Sequence, residues 1–512
     1  MSMPQGKFYI TTPIYYVNDN PHIGHAYTTI LADVLARYHR AQGDEVFFLT
    51  GLDEHGQKVQ QAAQKRNLSP QEHCDDLAPR FLQLWEKLGI QYDDFIRTTQ
   101  PRHVAVVQAV LQKIYAAGDI YEDEYEGWYS VAEERFITET EKESGAFRDV
   151  KSLKERNWFF KMGKYRQPLL DHINGHPEFI QPEHRRNEIL GFLRQPLGDL
   201  CISRPKARMG WGIELPFGKD YVTYVWFDAL LNYITAPGYA SDERRFKKWW
   251  PASVHLIGKD ILTTHAVYWP AMLFSLGLPL PRTIFAHGWW LAGDTKMSKT
   301  LGNIVNPLDL IGEYGIDAVR YYLMREMVLG QDANFTMESF IKRYNSDLAN
   351  DFGNLLNRIS GLIGKYFNGI IPDGRSAQGA QYTVKHLITG VPGSLDSLEN
   401  KTKNLIKELQ LSETIDGVMF IIRRANHFLE VMAPWKLVKD NLLEEAGCVL
   451  YVAAEALRLA AIHLSPVMPT KTQKVLEVLG AVDSGLTWGE LKPGTKLQAH
   501  DALFPRLELE KK

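Results

Sequence analysis

Cysteine is almost missing from this 512-residue chain: Cys74, Cys201 and Cys448 are its only three, and they stand far apart. Such sparse thiols exclude a disulfide framework and fit a reducing compartment, hence the cytoplasm. Long apolar runs are scarce as well, and none is expected to be long enough to cross a bilayer. Met1 leads almost directly into the strand-like "KFYITT" (7–12), so no signal or transit segment is expected. A dominant charge is also lacking, since 58 Lys and Arg against 61 Asp and Glu leave a formal net charge of −3. A protein that held nucleic acid through bulk charge would be strongly basic, so any such contact must use local patches. What remains is ordinary globular composition, 45% hydrophobic and 23% charged, at a length that predicts several domains.

The first fifty residues alternate strand and helix. "KFYITT" is apolar and β-prone. From Ala26 the period changes, and Ile30, Leu31, Val34, Leu35 and Tyr38 fall on one helical face, with Gly43 where a C-cap belongs. "EVFFLTG" (45–51) reads as a buried strand. Strand, helix, strand is a unit of a doubly wound parallel sheet, which binds ligands at the carboxyl ends of its strands. The stretch "VNDNPHIGHAYTTI" (17–30) lies there. Gly24 lets a ligand approach the backbone, and a helix starting near His25 aims its N–H groups at an anion. His22 and His25 can donate hydrogen bonds to a phosphoryl group as charge develops. By itself the pair also fits two ordinary loop histidines. A zinc-protease reading fails, because the Glu of His-Glu-x-x-His is absent.

A second stretch, "AGDTKMSKTLGN" (292–303), follows the strand-like "RTIFAHGWWL". Gly293-Asp294 is a two-residue hairpin signal. Lys296, Ser298 and Lys299 follow on the loop, and lysine is a compact point charge suited to a departing polyphosphate. Alone, this too fits a solvated charged loop.

Taken in order, "HIGH" and "KMSKT" resemble the two signature motifs of class I aminoacyl-tRNA synthetases, with Thr300 in place of the usual closing Ser. "TTPIYYVNDNPHIGH", "FLTGLDEHGQKV", "YEGWY", "YVWFDALLNYI", "IGKDILTTHAVYWPAM" and "HGWWLAGDTKMSKTLGN" extend the similarity to the methionyl-tRNA synthetase family over nearly the whole chain. The resemblance implies ATP-dependent activation of L-methionine to the adenylate, then transfer to initiator and elongator tRNA(Met), with Mg²⁺ neutralising the triphosphate. It implies that His22 and His25 stabilise the α-phosphate transition state and that Lys296 and Lys299 hold the β- and γ-phosphates. Gly24, Gly258, Asp260 and Ser298 match further ATP-binding positions. Asp53 matches the position that binds the ammonium. Trp226, Leu230 and Tyr233 recur at spacings of four and three, after Asp228 as a possible N-cap. They would form one wall of the methionine pocket, Ile261 and His265 the other, with Ile14 and Tyr16 beneath. Aromatic edges make favourable contacts with sulfur. Without the resemblance, this stripe reads as core.

The expected fold is α/β: a doubly wound, Rossmann-like parallel sheet with an inserted α+β domain, followed by a C-terminal helical bundle. Expected boundaries are 1–117 and 224–300 for the two catalytic halves, 118–223 for an insertion that receives the tRNA acceptor end, 301–344 for a connecting region and 345–512 for the bundle. The insertion opens acidic ("YEDEYEG") and turns basic and aromatic ("LKERNWFFKMGKYR"). Many relatives place Cys-x-x-Cys zinc knuckles just after "YEGWY". Here Ser130 and Glu133 stand there, and 118–200 holds no cysteine, so a metal-free loop packed through Trp128, Tyr129 and Phe136 is expected, with no zinc. His172 and His176 lie four apart but lack further ligands in register. In the bundle, Leu348, Phe352, Leu355, Leu356 and Ile359 form an apolar face. "LANDFGNLLNRI" and "APWKL" resemble anticodon-binding positions: Asn354 and Arg358 for base edges, and Trp435, after a Pro434 that ends its helix, for stacking. No added dimerising module is seen, so a monomer and no membrane partner are expected. Two other classes compete: a nucleotidyltransferase sharing only the histidine motif, and an idle relative that binds RNA.

Overall fold

The computed structural model describes residues 6–18, 20–130, 135–137, 139–143, 145, 149–292, 295–296, 305–375 and 402–508. It divides into two units, Met1–Gly288 and Trp289–Lys512.

In the first unit, β1 (Lys7–Tyr16) runs on past the apolar hexamer. Pro13 has no N–H for the ladder, and the register of β1 against its neighbour shifts between Thr11 and Ile14 instead of ending there. Helix α1 (Ile23–Ala41) starts three residues before the periodic pattern does, because His22 caps it. β2 (Glu45–Asp53) pairs parallel with β1, and β3 (Asp94–Arg97) pairs parallel with β2.

The inserted segment opens with β4 (Ile120–Ser130) and β5 (Val150–Phe160), a long antiparallel pair. Their register sets Glu124 opposite Arg156 and Glu126 opposite Lys154, so the acidic and basic runs form one charge ladder rather than two surfaces. A short strand, β6 (Ile180–Gln181), leaves the insertion and joins the edge of the main sheet. Two short helices follow, α2 (Val225–Ala229) and α3 (Asn232–Thr235), and then β7 (Val254–Gly258) and β8 (Thr283–His287). The main sheet has the order β3-β2-β1-β7-β8-β6, with every pairing parallel. The chain leaves β1 towards β2 on one side and returns through β7 on the other. Between β1 and β7 lies the switch point, where such sheets leave a crevice at their carboxyl ends.

In the second unit Ala292 pairs with Thr295, the expected hairpin register, while Gly293 and Asp294 lie outside the described residues. The unit is otherwise chiefly helical. Its principal helices are α4 (Asn354–Phe367), α5 (Leu411–Met432), α6 (Pro434–Lys439) and α7 (Leu443–Leu464). The apolar face foreseen at Leu348, Phe352, Leu355, Leu356 and Ile359 is fully buried. Two expectations need correction. Helix α7 is long and apolar enough to span a bilayer by length and composition, but 94% of its apolar window is buried within the protein. It also holds a fully buried ion pair, with Arg458 Nη2 donating to Glu455 Oε1 at 2.6 Å and to the Thr487 carbonyl at 2.7 Å. Those bonds tie α7 to the segment that follows the bundle. Pro434 begins a helix rather than ending one: Ala433 takes a left-handed φ of 44°, and Pro434, which needs no N–H partner, opens α6.

Candidate active site

The two histidines sit at the carboxyl end of β1, and their first role is local. His22 Nδ1 accepts from the Gly24 N–H at 3.1 Å, and His25 Nδ1 accepts from the His22 N–H at 3.3 Å. This is a capping box built from imidazoles. The rings stack with centroids 3.8 Å apart. With both Nδ1 lone pairs occupied by backbone donors, each neutral ring must carry its hydrogen on Nε2. The cap therefore selects the tautomer that can donate to a phosphate. Burial holds the His25 pKa well below the ordinary histidine value, and His22 beside it adds to the effect, so the ring is neutral. Gly24 also leaves room for the cap itself. A Cβ there would lie 2.9 Å from His22 Cε1, in the place the folded-back ring occupies.

Asp53 ends β2, and the residues after it are anchored on two sides. Glu54 accepts from Arg97 Nε at 2.6 Å, and its backbone N–H donates to Thr98 Oγ1 at 2.9 Å. His55 Nδ1 meets Asp228 Oδ2 at 2.6 Å. Asp53, almost fully buried, lines a small cleft together with Ile14, Trp226, Leu230, Tyr233 and His265. Six residues assigned to the amino-acid pocket thus surround one space, although they come from four separate segments. Pro13, Ala229 and Asn232 complete the lining. All three lie inside the quoted stretches, and Ala229 and Asn232 continue the spacing of three from Trp226, which is the signal that could have found them.

Tyr16 and Ile261 stand outside this lining. Tyr16 pairs with Asp53 across the sheet, and the Ile261 carbonyl accepts from His265 Nδ1 at 2.9 Å. That bond places the His265 hydrogen on Nδ1, so Nε2 is an acceptor and Tyr233 Oη donates to it at 2.8 Å. Burial lowers the His265 pKa to about 4, which keeps the ring neutral in the cleft. His265 stands in a single widened turn, Thr264–Tyr268, of the kind that often marks functional positions. Asp228 does not cap a helix. It lies within α2, fully buried, and Tyr224 occupies the cap position.

The geometry of this cleft is accompanied by clear relationships to known proteins. The family model described as tRNA synthetases class I (M) matches residues 8–145 and 140–360. Methionine–tRNA ligase of Caldanaerobacter subterraneus is 44% identical over 98% of this chain and 79% of its own length. Methionine–tRNA ligase of Bacillus subtilis is 45% identical over 99% of the chain and 79% of its own. The chain belongs to the methionyl-tRNA synthetase family. The Mycobacterium tuberculosis methionyl-tRNA synthetase in complex with methionyl-adenylate superimposes with a TM-score of 0.90 at 38% identity, covering 98% of this chain and 100% of that one. Its apo form gives 0.83 at 36% identity, covering 99% and 100%. Methionine activation and tRNA charging are the activity of this family, and the chain is an aminoacyl-tRNA ligase.

Other synthetase positions fall as follows. Gly258 ends β7 across the crevice from α1, and a Cβ on it would meet Asp260 Oδ1 at 2.6 Å, so the carboxylate folds back over bare backbone. Lys296 lies in a short strand, while Ser298 and Lys299 are outside the described residues. Asn354 is exposed and Arg358 half-buried on one face of α4. Arg358 Nη1 donates to the Asn426 carbonyl at 3.2 Å, and Trp435 is half-buried. The loop expected in place of a zinc knuckle falls on 131–134, outside the described residues, as does the Phe136 side chain. His172 and His176 stack with centroids 4.2 Å apart. Among the described residues no group of three His, Cys, Asp or Glu could hold a metal ion.

Burial also depresses the pKa values of His255 and His287, with His265 lowering the first further. Protonating such rings favours the unfolded chain, so their stabilisation is complete above the ordinary value of 6.5. It is lost as pH falls through the folded values. For His265 that window runs from 6.5 to about 4 and amounts to about 3 kcal/mol at 1.36 kcal/mol per unit. Thermal melts between pH 7.5 and 4.5 should show the melting temperature falling steadily below pH 6.5. A flat profile down to pH 5 would contradict neutral, buried rings.

Proposed function

We propose that methionine sits in this cleft with its ammonium on Asp53 and its thioether among Ile14, Trp226, Leu230, Tyr233 and His265. The convergence of six separated side chains on one space, with a single carboxylate at its edge, carries this reading. ATP lies across the switch point, over Gly24 and beside Gly258 and Asp260. A methionine carboxylate oxygen attacks the α-phosphorus, the bond to the bridging oxygen breaks, and pyrophosphate leaves. His22 and His25 donate from Nε2 to the α-phosphate oxygens as charge builds. Lys296, Ser298 and Lys299 hold the departing phosphates. Mg²⁺ usually binds through substrate phosphates and one or two carboxylates, so the lack of a dedicated cluster among the described residues fits its arrival with ATP. In the second step a ribose hydroxyl of the terminal adenosine attacks the methionyl carbonyl and AMP leaves. No enzyme nucleophile is needed. ATP–pyrophosphate exchange with each of the twenty amino acids tests the reading: methionine should give the fastest exchange, and faster exchange with leucine or cysteine would overturn it.

The same reading gives residues 118–223 to the acceptor end of tRNA(Met) and 345–512 to its anticodon. Asn354, exposed on α4, and Trp435, at the start of α6 beside Pro434, support it by their placement, with Arg358 one turn beyond Asn354. Trp435→Ala should weaken tRNA(Met) charging by about 1–3 kcal/mol, the range for one stacked base. Methionine activation without tRNA should stay near the parent rate. Equal losses in both assays would make Trp435 a packing residue.

A further inference from the structure

Asp228 is a carboxylate with no exposure, set two residues after Trp226 and two before Leu230. Burying such a charge is costly unless it is paired and hydrogen-bonded. Two partners from different parts of the chain reach it. His55 Nδ1 meets Oδ2 at 2.6 Å, and His103 Nε2 meets Oδ1 at 2.7 Å. A carboxylate can only accept, so both ring nitrogens donate. His103 is held at its other nitrogen as well, 3.3 Å from Thr235 Oγ1. The Thr235 hydroxyl also bonds the Leu231 carbonyl at 2.8 Å, which fixes it beside the ring. Burial alone would raise the Asp228 carboxyl, but His55 and His103 outweigh it and hold the carboxyl below its usual range.

The location gives this triad its meaning. His55 is two residues from Asp53, on one wall of the amino-acid cleft. Asp228 lies on the helix that carries Trp226 and Ala229 on the other wall, and Thr235 closes α3 just beyond Tyr233. We propose that Asp228 is a positioning residue for methionine binding: through His55 and His103 it locks the Asp53 wall to the Trp226–Tyr233 wall, and so sets the distance between the ammonium site and the thioether site. The proposal rests on the assignment of this cleft to methionine. A buried, fully bonded carboxylate can do this where apolar packing cannot, because its two bonds are directional and hold each wall in one register.

The test is steady-state ATP–pyrophosphate exchange on the full chain, with active sites titrated. Asp228→Asn and His55→Ala should each raise the KM for methionine at least tenfold, with the KM for ATP changed by less than twofold. His55→Asn should return most of the lost affinity, since the Asn amide nitrogen stands where Nδ1 does and can donate to Asp228. If Asp228→Asn does not fold, the His55 pair decides the matter. The parent methionine KM in His55→Ala, or equal defects in His55→Ala and His55→Asn, would overturn the clamp. Asp53→Ala separates the two levels of inference. If it loses methionine affinity while His55→Ala keeps it, the clamp alone fails. If Asp53→Ala keeps the parent KM, the cleft assignment fails and takes the clamp with it.

Discussion

Asp53→Ala should lower kcat/KM for methionine in the exchange reaction by about 10²–10³-fold. Truncating one partner of a desolvated, hydrogen-bonded charge pair costs about 2–5 kcal/mol, and each 1.4 kcal/mol is a factor of ten. The carboxylate is 5% exposed, so an ammonium bound to it is largely removed from water, and without Asp53 it would be buried unpaired. The loss should fall on methionine and spare the KM for ATP. Asp53→Asn sharpens the test. It keeps the shape and an acceptor oxygen but removes the charge, so it should recover only part of the affinity. Full recovery would mean that a hydrogen bond, not an ion pair, holds the substrate.

His25→Ala should slow adenylate formation by about 10²–10³-fold, the usual cost of removing one donor aimed at developing charge. The methionine KM should hardly move, because the donor acts on the transition state rather than on bound substrate. Alanine would also break the cap, since His25 Nδ1 accepts from the His22 N–H. His25→Asn resolves the ambiguity. Its side-chain oxygen can take the place of Nδ1 in the cap, but it has nothing at the position of Nε2–H. The expected result is a parent-like melting temperature with adenylate formation as slow as in His25→Ala. Near-parent turnover in His25→Asn would show that the capping role, not the outward hydrogen, is what the reaction needs.

Some readings failed where a local pattern was asked to settle a question of packing. Asp228 before an apolar stripe looks like a helix cap. Only the fold shows that His55 and His103, 173 and 125 residues away, converge on it. The acidic and basic runs of the insertion are separate in the sequence, and only antiparallel register lays Glu124 against Arg156. Pro434 looks like a terminator, because the left-handed turn at Ala433 that frees it to start a helix has no marker in residue type.

By itself the sequence determined the alternation of strand and helix, the buried apolar faces and the two motifs, while the residues of the cleft came only from the family resemblance. The first three depend on residue type and short-range spacing, which are local properties. The tertiary structure alone decided which side chains share a space, which histidine nitrogen carries hydrogen, and that the His22 ring folds back over Gly24. It also decided that α7, apolar enough for a membrane, is a core helix. Those outcomes depend on contacts between residues distant in the chain, and on the loss of water that burial brings. Residue type names the groups able to bond, but only packing determines which partners they meet.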